Sequence, residues 1–533
     1  MSKKGLILCI TAFIAIALLT ACSSDEENDE ESASADVEVN KEGFPIVDEE
    51  IELSLMAPGT GIAEWEDMPV LQEYAEKTNI NFTYETPPLS DFQTKLNLAF
   101  ASGDVADIIF GAGSNNLTPA MEVDYGQQGV LLPLEELIAD YAPNIQKIFE
   151  ENPEVKKSIT TSDGHIYSLP MVTKETTASW YLGPMWYNGA WLEALEVDEL
   201  PKTVDEFYDL LVRFKTGDPN GNGKADEIPL SDVKMNSARP WLLGAFGIKE
   251  WGIEEIDGEV RYAPMTENYK EYLIFMNKLY EEKLLDSEVF SQSVEQKKAN
   301  GQENRLGIFP DWHSYFTTGE TQEEALDDPM FHPLTSKVSS EAVIPRNTGI
   351  KRGAFSITKN NPNPEATIRW VDYFYSEEGG DFMRVGSEGH MWEWTDEGAG
   401  KRDYIEPPEG MSESDFHGGI TPIFGIEPPI LDMPLKGFPE KEFDKFIETE
   451  TENKIEPFAE VPMPHVYLTT EEQDKVSSIE VDLQSYVEQM EAKFITGVEP
   501  LSNWNDYVET IKNMNIEEYI QVYQDAYDRW DES

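Results

Sequence analysis

The sequence is short of cysteine, of positive charge and of long apolar runs. Only two cysteines occur in 533 residues, Cys9 and Cys22, both near the start. No intramolecular disulfide can therefore brace the body of the chain, and its stability has to come from a packed core. Lysine and arginine number 40 against 103 aspartates and glutamates, a formal net charge of −63. A surface of that sign repels phosphate backbones and anionic headgroups, which excludes nucleic acid as a partner. Such acidity suits saline or alkaline surroundings, where screening makes self-repulsion tolerable, and equally suits solubility alone. The six histidines are scattered, and there is no His-Glu-x-x-His. A Gly-x-Ser-x-Gly elbow and a phosphate loop are also absent. No catalytic residue is assigned. Aromatics at 11% and apolar residues at 40% make the chain globular.

The one long apolar run covers residues 5–19, behind Lys3 and Lys4. It has the length of a signal-peptide core and falls short of the ~20 residues a membrane-spanning helix needs. It ends in Leu19-Thr20-Ala21-Cys22, which resembles the lipobox of bacterial lipoprotein precursors. The resemblance implies that residues 1–21 are a signal peptide and that Cys22 carries a diacylglyceryl group. Two acyl chains on one residue anchor a protein that a single chain holds only marginally. An uncleaved anchor or an ordinary secretory signal is the alternative. Cleavage removes two lysines and no acids, leaving a charge near −65. Residues 22–43 are Ser-, Asp-, Glu- and Asn-rich and read as a solvated acidic tether, with order beginning near Phe44.

The chain from residue 44 onward is too long for one core and predicts two lobes. Residues 51–56 alternate apolar and polar as a strand does, 68–77 carry helical spacing, and 79–84 form a second strand pattern. A helix over 91–102 stopping at Gly103 and a strand over 106–110 complete a strand–helix alternation, the pattern of a parallel sheet under helices. Helices are expected over 187–194, 204–215, 267–282, 365–375 and 504–530, and strands over 306–309 and 353–357.

Several segments resemble one family in order. They are Ala101-Ser102-Gly103-Asp104-Val105-Ala106-Asp107-Ile108-Ile109, Gly129-Val130-Leu131-Leu132-Pro133-Leu134 and residues 163–170. Tyr187-Asn188-Gly189-Ala190-Trp191-Leu192, Leu200-Pro201-Lys202-Thr203-Val204-Asp205-Glu206-Phe207, Ala354-Phe355-Ser356-Ile357 and Pro364-Glu365-Ala366 continue the series. Together they are similar to the extracellular solute-binding proteins of ABC importers. The likeness is greatest to long Gram-positive lipoproteins and alginate-binding proteins. Ala106 stands where the family more often has proline, a change confined to a turn.

The resemblance implies a two-lobed α/β, periplasmic-binding-protein-like fold with a hinged interlobe cleft. It places the first lobe at 44–168 with a return at 351–425, and the second at 169–350. A C-terminal helical segment, 426–533, would lie mainly on the second lobe. It further implies a monomer anchored by lipid to the outer face of the cell membrane. The protein would capture a carbohydrate and hand it to permease subunits. A peptide receptor ranks second and a surface-anchored polysaccharide-degrading enzyme third. Counting does not address the enzyme, since 103 acids put a carboxylate pair in every region.

One local motif carries its own chemistry. In Asp218-Pro219-Asn220-Gly221-Asn222-Gly223-Lys224-Ala225-Asp226-Glu227, oxygen-bearing side chains recur at alternate positions, with a glycine sixth. That is the pattern of a Ca²⁺ loop. Asp218, Asn220, Asn222, Asp226 and Glu227 would give side-chain oxygens and Lys224 its carbonyl. The twelfth position is Pro229 rather than Glu, a departure from an EF-hand. The paired Asp226-Glu227 is similar to the loop of alginate-binding members. A polar turn is the plainer alternative.

Sugar sites combine aromatic platforms with planar polar groups. The candidates are Trp312 beside Asp311, then Trp180, Trp186, Trp241, Trp392 and Trp394, with Glu388 and Arg352 as polar contacts. Each tryptophan serves core packing equally well.

Overall fold

The chain is described from residue 37 to residue 533 of a computed structural model, and Glu38–Ser533 forms one compact unit. The signal peptide, Cys22 and most of the acidic tether lie outside the described residues. The tether, expected to run to residue 43, gives up its last residues to the body. The amide of Asn40 donates to the carbonyl of Ile46 at 2.8 Å, and Arg369 Nε donates to the carbonyl of Lys41 at 3.1 Å.

The first sheet has six strands. Ile51–Met56 pairs in parallel with Ile80–Glu85 on one side and with Ile108–Phe110 on the other. The connecting helices, Pro69–Thr78 and Phe92–Ser102, end on Asn79 and Gly103, both in the left-handed region. Apolar residues at helical spacing bury one face of each, including Val70, Leu71 and Tyr74 in the first and Phe92, Leu96 and Phe100 in the second. Next to Ile108–Phe110 lies Ile350–Ile357, then Leu169–Thr173, then Leu431–Asp432 at the edge. Ile350–Ile357 runs antiparallel to both neighbours. The parallel arrangement expected for the first three strands holds, and the return strand adds antiparallel pairing because the chain re-enters at the end where it left. Ile350 lies opposite Val172.

The second sheet is small. Leu306–Pro310 lies between Met185–Tyr187, antiparallel to it, and Ile228–Leu230, parallel to it. All five residues of Leu306–Pro310 are buried, the mark of a strand covered on both faces. Helices Val204–Thr216, Glu267–Glu281 and the 26-residue Thr470–Ile495 supply much of the apolar cover. Thr203 with Glu206, and Thr469 with Glu472, close reciprocal caps at two of their starts. The resulting core is aromatic, with Trp186, Trp191, Trp241 and Trp504 among its members.

Three segments connect the sheets, from Thr173 to Met185, from Pro345 to Ile350, and from Asp432 to helix Glu442–Lys454. Leu169–Thr173, expected to open the second lobe, is thus a strand of the first sheet. The C-terminal segment likewise begins with a strand of that sheet, Leu431–Asp432. Two smaller expectations shift. Residues 185–187 are a strand before the helix Gly189–Ala194, and the last helix breaks at Asn515, whose φ is 62°.

Candidate functional site

The loops after the carboxyl ends of the strands are where an open α/β sheet can offer side chains to a ligand. In the second sheet that place is residues 311–318. Pro310 leads into Asp311, whose own amide donates to the carbonyl of Pro184 at 3.1 Å. The Asp311 carboxylate is used within the loop. It accepts from the Trp312 amide at 2.8 Å and from Thr317 Oγ1 at 2.7 Å. Asp311 therefore shapes the loop that carries Trp312.

Trp186 and Trp241 are enclosed in the core and act from inside. Trp186 Nε1 donates to the carbonyl of Asp311 at 2.9 Å, and Trp241 Nε1 to the carbonyl of Gly183 at 3.2 Å. Gly183 passes so close beneath that a Cβ would stand 2.6 Å from the Trp312 nitrogen. Their burial leaves neither indole open to a ligand, against the expectation for both.

Trp312 is 51% exposed, a large apolar side chain held in solvent. Its ring stacks on Trp180, with centroids 6.1 Å apart and planes 21° from parallel. Trp180 itself is buried, against the expectation that it is open to a ligand. Phe316, also exposed, extends the aromatic surface, while His313 turns inward onto Tyr315 and Phe443. Burial holds the His313 imidazole below its ordinary pKa, so it stays neutral near pH 7.

The carboxyl edge of the first sheet carries tightly packed glycines. A Cβ on Gly113 would lie 2.3 Å from Glu427 Oε2, and one on Gly353 2.7 Å from the carbonyl of Leu117. This brings Glu427 to the edge, its carboxyl raised by burial against the pull of Lys351. Neither residue stands out in the sequence, because in a chain this acidic a lone carboxylate carries no signal. Arg352, a candidate on sequence grounds, is committed elsewhere. Its guanidinium lies 4.6 Å from the Tyr467 ring and donates to the carbonyl of Val466 at 3.1 Å. That cluster encloses Glu122, whose carboxyl burial pushes up against the pull of Ser168, Arg352 and Tyr467.

Glu388, Trp392 and Trp394 come together in a separate hollow of about 510 Å³, with Lys77, Tyr373 and Arg402. Trp392 is largely buried, its Nε1 donating to the carbonyl of Gly386 at 2.9 Å. Arg402 lies over both tryptophan rings, at 4.8 and 5.3 Å. A polar cavity of about 410 Å³ opens where the three connecting segments meet, lined among others by Lys174, Ser179, Arg346 and Glu448.

The acidic loop at 218–227 is folded around its own oxygens. Gly223 (φ 72°) donates its amide to both carboxylate oxygens of Asp218, at 3.1 and 3.2 Å. Asn222 Nδ2 and Asn220 Nδ2 reach Asp226 Oδ1 at 2.9 and 3.4 Å. Those bonds, the Asn222 one foremost, hold the Asp226 carboxyl below its usual range. Glu227 Oε1 is shielded from solvent and has no partner. Among the described residues no three His, Cys, Asp or Glu side chains converge as a metal group. An oxygen set built partly from amides and a carbonyl lies outside that pattern, and it fits a hard cation.

The model of the family "Bacterial extracellular solute-binding protein" matches residues 59–381, more than half of the chain. The chain belongs to the bacterial extracellular solute-binding proteins. As a member, it is a binding protein and not an enzyme. It is similar to the fructooligosaccharide ABC transporter substrate-binding protein FusA of Streptococcus pneumoniae. The two are 29% identical over 560 aligned residues, spanning 99% of this chain and 98% of that one. The solved structure of FusA with kestose matches at a TM-score of 0.73 and 27% identity, over 90% of this chain and 99% of that one. FusA as an EF-hand mutant with fructo-nystose matches at 0.73 and 26%, with the same shares covered. These likenesses fit the bilobal arrangement of two sheets and three connecting segments. Among the described residues no helix of this solute-binding protein is long and apolar enough to cross a membrane.

Proposed function

We propose that this solute-binding protein captures an oligosaccharide outside the cell and delivers it to the permease of an ABC importer. Trp312 carries the reading. It is an exposed indole at the carboxyl end of a buried strand, backed by a second tryptophan, and so presents a flat apolar face for sugar C–H groups. Phe316 extends that face, and Lys351 with Glu427 offers hydroxyl-binding groups from the first sheet's edge. Contacts with both sheets would favour the closed arrangement, the connecting segments absorbing the motion. The similarity to FusA supports a fructose-containing oligosaccharide as the first cargo to try.

Three further readings belong with it. Cys22 carries the lipid that holds a monomer at the outer face of the membrane. Asp218, Asn220, Asn222, Asp226 and Glu227, with the carbonyl of Lys224, hold Ca²⁺. The unpartnered Glu227 Oε1 supports this, as do two amides gathered on Asp226 that would turn their oxygens to a cation. The ion's part is structural, clamping the loop between helix Val204–Thr216 and strand Ile228–Leu230.

A thermal-shift screen against kestose, longer fructans, uronate oligomers and peptides tests the function. A ligand at a hundred times its dissociation constant adds ~2.7 kcal/mol, an easily read rise in melting temperature. Kestose that raises it and is recovered intact is the expected outcome. A shift by peptides alone would overturn the carbohydrate reading.

A further inference from the structure

Trp180 has contacts that a simple backing residue does not need. It sits in the first connecting segment, directly after the turn of helix Thr176–Ser179. Its backbone pairs antiparallel with Arg346 in the second segment, and the Asn347 amide donates to the carbonyl of Ser179 at 3.1 Å. Its ring nitrogen donates to Thr451 Oγ1 at 3.1 Å, on the helix Glu442–Lys454 to which the third segment leads. Its ring face is the one on which Trp312 stacks. One buried residue of the first segment therefore joins the exposed platform to the second segment by its backbone and to the helix that follows the third by its side chain.

Each contact constrains a different freedom. The backbone pairing sets the spacing of the first two segments. The indole N–H has one partner in a buried setting, so losing Thr451 Oγ1 would leave a shielded donor unsatisfied. The stack fixes the tilt of Trp312, since parallel aromatic pairs prefer a narrow range of offsets. A sugar seated on Trp312 favours one tilt of that ring. Through the stack it favours one placement of Trp180, and through Thr451 and Arg346 one arrangement of the connecting segments. A ligand shifts a conformational equilibrium only through such a differential contact.

We propose that Trp180 is a positioning residue that couples occupancy of the Trp312 platform to the geometry of the three connecting segments, and hence to closure. This rests on the carbohydrate reading of Trp312. It assigns Trp180 a role without ligand contact, and it makes Thr451 part of the binding machinery although it lies in a helix of the third connection.

The test uses the full-length chain, with kestose affinity by calorimetry and kestose-induced compaction by small-angle scattering. Wild type, Trp312→Ala, Trp180→Leu, their double variant and Thr451→Val are compared. Trp180→Leu should weaken kestose about tenfold, the scale of a lost aromatic stack, and should abolish compaction. In the Trp312→Ala background the same change should add less than about twofold, since the two residues act in series. Thr451→Val keeps both rings and the packing volume. It should weaken kestose roughly fivefold, the scale of one hydrogen bond, and reduce compaction. This milder variant decides the matter if Trp180→Leu fails to fold. The inference alone is overturned if Thr451→Val binds and compacts as wild type, or if the Trp180 and Trp312 effects multiply. If wild type ignores kestose and the other oligosaccharides of the screen, or Trp312→Ala binds as wild type, the sugar-platform reading falls and the coupling falls with it.

Discussion

The two sheets of this protein are assembled from chain in opposite ways. In the first, three parallel strands and their two helices occupy residues 51–110, so most early pairings are local. In the second, three strands are drawn from 185–187, 228–230 and 306–310, and the cover includes helices beyond residue 470. Buried charge is handled differently in the two regions. The second region buries Arg239 against Glu491, 252 positions away, at 2.7 Å, and pairs the partly exposed Arg261 with the buried Glu254 at 2.7 Å. The first region uses its buried Asp372 as a helix cap, accepting the amides of Asn144 and Ile145 at 3.0 and 2.9 Å. The difference bears on cooperativity. A region closed by distant chain cannot be stable until the end of the sequence has arrived, because loop closure has to be offset by contacts made only then.

The largest expected effect breaks that distant closure. Arg239→Met leaves Glu491 as an uncompensated buried charge and should cost about 3–5 kcal/mol in urea unfolding monitored by tryptophan fluorescence. Lys147→Met in the first region removes only an exposed pair with Glu151 and should cost under about 1 kcal/mol. Equal costs would break the comparison.

A pH series sharpens it. Burial raises Asp372 in the first region from 3.8 to about 6, and Asp328 in the second from 3.8 to about 7. Asp372 is bonded by two amides and the Asn144 side chain. Asp328 accepts from the Gly189 amide at 2.8 Å, while its Oδ2 has no partner. In each case the folded state keeps a proton that the unfolded chain has released. The stabilisation is therefore full below about pH 4, and it fades as pH rises through 6 for Asp372 and through 7 for Asp328. Asp328→Asn should flatten the fall of stability between pH 5 and 7, by about 2–4 kcal/mol. A slope unchanged in that variant would assign the fall to general repulsion among the acids.

Calcium gives the most local effect. Chelator-treated protein should take up Ca²⁺ with measurable heat, and ion at a hundred times its dissociation constant should add ~2.7 kcal/mol. Asp218→Ala should abolish both while leaving kestose binding intact. Absence of heat and of any melting shift in the wild type would return 218–227 to a plain polar turn.

Legibility in the sequence tracks the same local-versus-distant division. Strand 51–56 is readable to the residue, and helices 204–215 and 267–282 to within one, because period and caps lie inside each segment. Strand Ile228–Leu230 is three residues long and carries no period to read. The direction of Ile350–Ile357 is equally hidden, since pattern reports which faces are buried and not which way the chain re-enters. Among the tryptophans, composition cannot separate Trp312 from Trp186 or Trp241, as burial depends on what packs from elsewhere. Arg352 looks free in the sequence, yet Tyr467 and Val466 hold it from 114 or more positions away.

The sequence by itself determined the bilobal α/β family, the acidic surface, the spacing of the 218–227 oxygens and the local strand–helix units. The last three are written in composition or in short-range periodicity, and the family in the order of the segments that resemble it. Only the tertiary structure decided that Trp312 stands in solvent, that Trp180 lies beneath it and meets the second connecting segment and the helix after the third, and that Glu427 rather than Arg352 reaches the first sheet's edge. Exposure, stacking and ion pairing are properties of neighbours in space, and here those neighbours come from segments more than a hundred residues apart.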